Sequence, residues 1–430
     1  MISFYTFYLI IITAILFFQI RFLATKSDIN QSLSHPGTIL AIFYYLYCLI
    51  PTLFFLTGTT EGAPVKWYVF SDEEIRSHLL RSLLFSFVLT ISTCIFSYRG
   101  KNYAEVNSTS INFKGYSVML AAVAFVVPNL ILALLSAPVD SYYDSYTRFD
   151  HLTGLLGFVV VICKRMIWGF APVLIFVLSI YYRNNSRKYY ILVAAIAIFT
   201  IINSYGARID ALLILIQALC YRFLWSYSKV TKLQIIAVFP VVILAMYALR
   251  YLEIARLGLD NNIDVTMASA LLAAPSEFFA LLFPSIELYR ISTTESIYSY
   301  SLYFKDVITL IPFIDTSNYD VMDWYWQSFM PTALVAPYTM GVLADPALLG
   351  DWWLIVEGLV IGKLASVVNN FRMSKSPYLL AAFGYLASNG VLVLKYNMLT
   401  YVDMFINNFL LGAALLWLIF TIQKSRQLYV

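Results

Sequence analysis

The chain has 430 residues, of which 61% are hydrophobic and only 12% charged, with a net charge of +4. Soluble domains carry about 25% charged residues, so this composition excludes an ordinary soluble enzyme, a disordered protein and a nucleic-acid-binding module. The positive mean hydropathy, +0.76, comes in long uncharged blocks, which marks membrane-spanning helices; the strands of a membrane barrel would alternate polar and apolar.

Eleven spans follow in chain order, at 3–23, 37–57, 80–98, 116–136, 166–182, 189–206, 209–227, 233–251, 348–368, 377–394 and 404–422. The first block, Phe4 to Leu23, lacks a basic leading region and is long enough to stay as a membrane anchor. Before the fifth span the stretch 155–163 is also apolar, but Lys164 and Arg165 interrupt it. That pattern admits a surface helix preceding the true span.

The connections alternate in charge. Arg21 and Lys26 follow the first span, Arg99, Lys101 and Lys114 the third, Arg183, Arg187 and Lys188 the fifth, Arg222, Lys229 and Lys232 the seventh, and Arg372 and Lys375 the ninth. The intervening loops are acidic or mixed, with Asp72-Glu73-Glu74 in one and Asp140, Asp144 and Asp150 in another. Positive charge stays on the cytoplasmic side, so the N-terminus is expected outside and the C-terminus in the cytoplasm. The chain then divides into helices one to eight (1–251), a large outer loop (252–347) and helices nine to eleven (348–430). That loop carries apolar stretches at 267–289 and 302–314, broken by Pro275, Pro284 and Pro312, and an aromatic run from Tyr319 to Phe329. It is too apolar for disorder and reads as short helices forming a lid or platform on the membrane surface.

Cys48, Cys94, Cys163 and Cys220 sit in or beside apolar blocks without a CxxC pair, and His35, His78 and His151 are scattered. Neither a disulfide framework nor a metal site is expected, and no cofactor motif is present: P-loop, GxGxxG, HExxH and GxSxG are all missing.

Charges at membrane depth are costly and mark candidate functional sites. The turn Asn203-Ser204-Tyr205-Gly206-Ala207-Arg208-Ile209-Asp210 places Arg208 at the outer face. Span eight ends with Arg250, Glu253 and Arg256, spaced to share one helix face. Arginine keeps its charge and grips phosphate through two parallel hydrogen bonds. Arginines at helix ends also snorkel to the interface, but outer-face arginines run against the positive-inside bias. In the large loop, Glu277 lies among apolar residues, a setting that suits a general base. Glu287 and Arg290, three apart, could pair with each other. Asp320, Asp323, Trp324 and Trp326 set rings beside carboxylates, a surface suited to sugars, although an interfacial aromatic belt has the same composition. Glu357 and Lys363 in span nine read as a structural intramembrane pair, and Asp72-Glu73-Glu74 as an ordinary solvated helix start.

The arrangement resembles the O-antigen polymerases (Wzy), the oligosaccharide repeat-unit polymerases of bacterial envelopes. The resemblance rests on the eleven-span plan with one large late outer loop, on the turn Tyr205-Gly206-Ala207-Arg208-Ile209-Asp210, on the exit of span eight from Arg250 to Arg256, and on the run from Pro312 through Gly341 and Gly350 to Gly358 and Gly362. It implies an all-α polytopic membrane protein of the GT-C type in the bacterial inner membrane, with its active site facing the periplasm. The implied reaction is inverting, metal-independent glycosyl transfer without a cofactor. Donor and acceptor would both be oligosaccharides on undecaprenyl pyrophosphate, and a chain-length regulator is the implied protein partner. Arg208, Arg250, Arg256 and Arg290 would then hold the pyrophosphate, with Arg208 and Arg250 acting in catalysis beside Glu277 as base, and Asp320, Asp323, Trp324 and Trp326 would contact sugar. An O-antigen ligase is the nearest alternative, but it is expected to carry a histidine in the large loop, and no histidine follows His151. A lipid-linked oligosaccharide flippase would favour charges at the membrane midplane and two similar halves, and neither is evident.

Overall fold

The computed structural model describes residues 2–25, 32–57, 70–98, 111–137, 148–203, 208–225, 282, 285–292, 307, 341–395 and 398–428. Among these residues every regular element is helical. The long apolar blocks leave no other choice in a bilayer, since a helix satisfies its backbone groups within one segment. In chain order the helices are α1 (Ile2–Ala24), α2 (Pro36–Thr57), α3 (Asp72–Tyr98), α4 (Gly115–Leu135), α5 (Gly154–Tyr181), α6 (Ser186–Asn203), α7 (Arg208–Trp225), the short α8 (Asp345–Leu349), α9 (Trp353–Phe371), α10 (Pro377–Lys395) and the short α11 (Thr400–Asp403). From α11 the chain runs through a π-helical stretch, Met404–Phe409, into α12 (Leu410–Leu428). Eight of the described helices are long and apolar enough to cross a membrane. With α6 and α7, of 18 residues each, they account for ten of the expected spans. The expected span at 233–251 lies outside the described residues.

Side-chain contacts fix the direction of each helix. Tyr5 Oη donates to Asp72 Oδ1 at 2.7 Å, joining the starts of α1 and α3. His35 Nε2 lies 2.9 Å from Ser97 Oγ, joining the start of α2 to the end of α3. Arg222 Nη1 donates to the Arg183 carbonyl at 2.9 Å, and Gln423 Nε2 to that of Asn112 at 2.7 Å. One end of the bundle, the upper end, therefore carries the starts of α1, α3, α5, α7 and α9. The lower end gathers Arg183, Arg187, Lys188, Arg222, Arg372 and Lys424, the loop cations of the charge alternation.

Helix α10 is the centre. Its span is 83% buried, against 22% for α1 and α4 on the periphery. It packs on α2, α5, α7 and α9, and small residues make this possible. Tyr221 of α7 sits in the notch at Gly384, where a Cβ would stand 2.2 Å from its ring, and donates to the Ala381 carbonyl at 2.5 Å. Helices α3 and α9 run side by side and pack closely. Gly358 faces Val88, Gly362 faces Ser92, and Ser366 Oγ donates to the Thr93 carbonyl at 3.3 Å. This small-xxx-small run lets two backbones approach closely in lipid, and it accounts for Gly358 and Gly362 as packing residues.

Two expectations need correction. The stretch before span five is not a separate surface helix: α5 is continuous over 28 residues, so Lys164 and Arg165 lie inside it. Glu357 does not pair with Lys363. It is fully buried with Asp345 as its charged neighbour, while Lys363 Nζ stands 5.8 Å from the centroid of the Phe96 ring. The lid or platform expected of residues 252–347 lies largely outside the described residues. Residues 285–292 are helical, and Ile286 and Leu282 belong to the main core. The acidic start of α3 is the solvated helix start expected, closed by a capping box: Ser71 Oγ accepts from Glu74 N–H at 3.2 Å, and Glu74 Oε2 accepts from Ser71 N–H at 2.7 Å.

Candidate functional site

A cavity of about 390 Å³ opens between α4, α5, α6, α7 and α10. Helix α5 supplies one wall at helical spacing, through Lys164, Ile167, Trp168, Ala171 and Pro172. These residues span roughly 12 Å along the helix axis. Helix α4 faces it with Asn129, Leu132 and Ala133, Ser136 follows directly after that helix, and α6 contributes Thr200. Leu213, Ile214 and Gln217 of α7 and Tyr385 and Asn389 of α10 complete the lining. The helix directions order these residues vertically. Ser136, Lys164 and Thr200 lie towards the upper end, and Asn129, Pro172, Gln217 and Tyr385 lie deepest.

Two cations mark the rim. Arg148 precedes α5, and its carbonyl accepts from Ala137 N–H at 3.1 Å. Its neighbour Phe149 is buried in a small cluster with Leu132, Val160 and Cys163, which pins this turn to α4 and α5. The Arg148 guanidinium stands 4.7 Å and Lys164 Nζ 4.9 Å from the centroid of the same Phe149 ring. Two like charges are thus brought to one aromatic side chain at the mouth of a largely apolar cavity. In that setting an anion is held more strongly than in water. Asp150 is the acid nearby, and it is exposed.

Behind the rim lies a second polar assembly. Arg165 Nη1 donates to Asn407 Oδ1 at 3.1 Å, and Asn407 Nδ2 donates to Asp403 Oδ1. The ring of Tyr385 stacks on Phe409, with centroids 5.8 Å apart. The π-helical stretch therefore braces the floor of the cavity. Gly169 of α5 makes this approach possible: a Cβ there would stand 2.5 Å from the Asn408 carbonyl oxygen.

The residues singled out from the sequence are distributed as follows. Arg208 is the first residue of α7, directly after the turn that follows Asn203. It stands five residues above Leu213, so its backbone lies at the mouth end of the cavity. Arg290 is exposed on residues 285–292, whose Tyr289 meets Arg81 of α3, and it does not line the cavity. Arg250, Arg256, Glu277, Asp320, Asp323, Trp324 and Trp326 lie outside the described residues. Arg148 and Lys164 were not anticipated. The signal was present in Lys164 as a charge within an apolar block, but it was hidden by ending the block at that residue. Arg148 carries no local signal, because only the fold brings it to Lys164.

Among the described residues no group of three or more His, Cys, Asp and Glu side chains could hold a metal ion. No curated protein and no solved structure matches the chain. A family model described as O-antigen polysaccharide polymerase Wzy matches residues 1–353. A multi-helix membrane bundle with a cation-rimmed cavity at one end thus coincides with a family match over most of the sequence, and the chain belongs to the O-antigen polysaccharide polymerase Wzy family.

Proposed function

We propose that this protein lengthens an O-antigen or related surface polysaccharide at the periplasmic face of the bacterial inner membrane. It does so by passing a growing glycan from one undecaprenyl pyrophosphate to a single repeat unit on another. Family membership supports repeat-unit polymerisation on lipid-linked oligosaccharides. The observation that carries the rest is the cavity whose rim holds Arg148 and Lys164 at the end where α7 starts with Arg208. Basic residues gather at the opposite end, and the positive-inside rule places that end in the cytoplasm.

In the proposed reaction a hydroxyl oxygen of the acceptor attacks C1 of the phosphate-linked donor sugar. The C1–O bond to phosphate breaks with inversion, its electron pair leaves on the pyrophosphate, and the hydroxyl proton passes to Glu277. Arg208, Arg250 and Arg256 are assigned, with the rim cations Arg148 and Lys164, to the charge that develops on the leaving group, where fixed donors near lipid act strongly; Arg290, which stands away from the cavity, is not among them. Asp320, Asp323, Trp324 and Trp326 are assigned to sugar contacts in the large loop, and the helical frame to the GT-C type.

The test is a gel of surface glycolipid from cells lacking the gene, complemented with wild type, Arg208→Ala or Lys164→Ala. A ladder that collapses to single repeat units and returns only with wild type supports a polymerase with these cations in its site. Loss of every repeat unit, including the single one, replaces it with a flippase or ligase. An unchanged ladder on deletion ends the reading.

A further inference from the structure

We propose that the cavity between α4, α5, α7 and α10 is a sugar-phosphate site, which takes the phosphate at its rim and reads the hydroxyls of the attached sugar at its floor. The polarity of the lining carries this. A pocket for the carrier's hydrocarbon would be apolar to its end. Here the deep end holds Asn129, Gln217 and Tyr385, and Asn389 lines the cavity one turn above Tyr385. Asn389 is 3% exposed and its Nδ2 donates to the Tyr385 carbonyl at 2.9 Å, yet its Oδ1 has no hydrogen-bond partner. An orphaned amide oxygen deep in a membrane protein is costly unless something donates to it, and a sugar hydroxyl is such a donor. Pro172 adds a second acceptor, because its missing N–H leaves the Trp168 carbonyl without its usual helical donor. The Trp168 side chain also lines the cavity and offers the flat apolar face on which a sugar ring packs.

Size and order fit the same ligand. The volume of about 390 Å³ is at the small end of ligand pockets, enough for a sugar phosphate and too small for a whole oligosaccharide. Lys164 lies eight residues above Pro172, so roughly 12 Å separates cation from floor along α5. An anion and a ring with hydroxyls must therefore belong to one short molecule. In a lipid-linked oligosaccharide that part is the reducing-end sugar, the one joined to phosphate. The cavity would make that sugar the specificity-determining residue, whatever the large loop does to the rest of the chain. The assignment deepens the polymerase reading and rests on it for the lipid carrier, but the cavity chemistry stands without it.

The experiment uses the full chain purified in detergent micelles. Binding is followed by thermal shift and calorimetry with a panel of hexose and N-acetylhexosamine 1-phosphates, the same sugars as 1-(alkyl phosphate) diesters, inorganic phosphate, a neutral sugar and an alkyl phosphate. One sugar 1-phosphate should bind more tightly than inorganic phosphate and than the alkyl phosphate, and the neutral sugar should not bind measurably. Asn389→Leu should weaken the sugar 1-phosphate about fivefold, the worth of one hydrogen bond, and leave inorganic phosphate unchanged. Lys164→Gln should weaken every anion. Gln217→Leu repeats the floor test on another helix, in case Asn389→Leu does not fold. Tighter binding of the same sugar on an alkyl phosphate identifies the ligand as a lipid head group; equal binding identifies a free sugar phosphate. Equal loss of phosphate and sugar phosphate in the floor variants, or an alkyl phosphate that outbinds every sugar phosphate, overturns the proposal. These outcomes are independent of the glycolipid ladder, so failure of one reading does not disguise failure of the other.

Discussion

Arg165 donates from Nη1 to Asn407 Oδ1 across 3.1 Å and so ties the interior of α5 to the π-helical stretch before α12. Asn407 passes the connection on to Asp403, so a cation and a carboxylate share one neutral amide. Removing a single member leaves the others unsatisfied, which costs more than the bond itself is worth. Arg165→Leu and Asn407→Ala should each destabilise by about 1 to 3 kcal/mol. The double variant should lose clearly less than the sum, because both changes break one network. Thermal unfolding in detergent, followed by loss of the monodisperse peak, measures all three. Strict additivity would show that the chain of contacts carries no coupling.

Gly169 and Gly412 cross at the same junction. A Cβ on Gly169 would stand 2.5 Å from the Asn408 carbonyl oxygen, and one on Gly412 would stand 2.5 Å from that of Gly169. Both obstacles are backbone, which cannot swing aside as a side chain would. Gly169→Ala and Gly412→Ala should each cost about 1 to 3 kcal/mol through overpacking, against the usual gain of replacing glycine in a helix. Expression and melting temperature of the two variants test this. A melting temperature at or above wild type in both would mean that α5 and α12 stand further apart.

Much of this architecture was legible in the sequence. Ten predicted spans coincide with described helices, because charge-free blocks of about 20 residues have one stable form in lipid. The charge alternation anticipated which helix ends lie together. The candidate site was less legible. Lys164 was visible, but its block was ended at that residue, although a helix tolerates a charge whose side chain turns towards a cavity. Arg148, Asn389 and Gln217 come from three separate stretches of chain, and nothing local in any of them announces a shared pocket. Glu357 and Lys363 show the converse error, since six residues of spacing turns two helical side chains to different neighbours.

Arg81 holds three elements together. Its Nε donates to Asp351 Oδ1 at 3.0 Å, and its guanidinium stands 3.6 Å from the Tyr289 ring centroid. The Asp351 side chain is 60% exposed, so that ion pair alone contributes little. The ring contact is the larger part, because it fixes residues 285–292 of the large loop to α3. Arg81→Ala should speed proteolytic cleavage within the large loop, whereas Asp351→Asn should leave it near wild type. Equal acceleration in both would shift the weight to the ion pair.

His35 predicts a pH dependence at the lower end. Burial, with the Arg372 charge nearby, holds its imidazole down to about 3, against an ordinary value of 6.5. The neutral ring accepts from Gly37 N–H at Nδ1, at 3.0 Å, and is left to donate from Nε2 to Ser97 Oγ, at 2.9 Å. Between the two pKa values the unfolded chain takes a proton that the folded one refuses. Stability is therefore fully present above about 6.5 and falls as pH drops towards 3. Melting temperature should decline across that window, with a shallower slope in His35→Gln. An identical slope in the variant would show that other groups set the acid limit.

Lys164 gives the most direct reading of the cavity. It stands on the eleventh residue of α5, about 15 Å from the helix start, with Nζ turned to Phe149 beside Arg148. A cation so placed attracts an anion across a poorly screened path, and a carboxylate in its place would repel one. Lys164→Arg should keep most polymerisation, because charge matters more there than shape. Lys164→Ala should lower it about tenfold or more, the equivalent of roughly 1.4 kcal/mol. Lys164→Glu should abolish it while the protein remains in the membrane at wild-type level. Arg148→Ala should reproduce the alanine effect, and the double variant should add little, since both cations serve one anion. The glycolipid ladder, scored for the fraction of chains longer than one repeat, measures the series. A full ladder from Lys164→Glu would remove the rim cations from the reaction altogether.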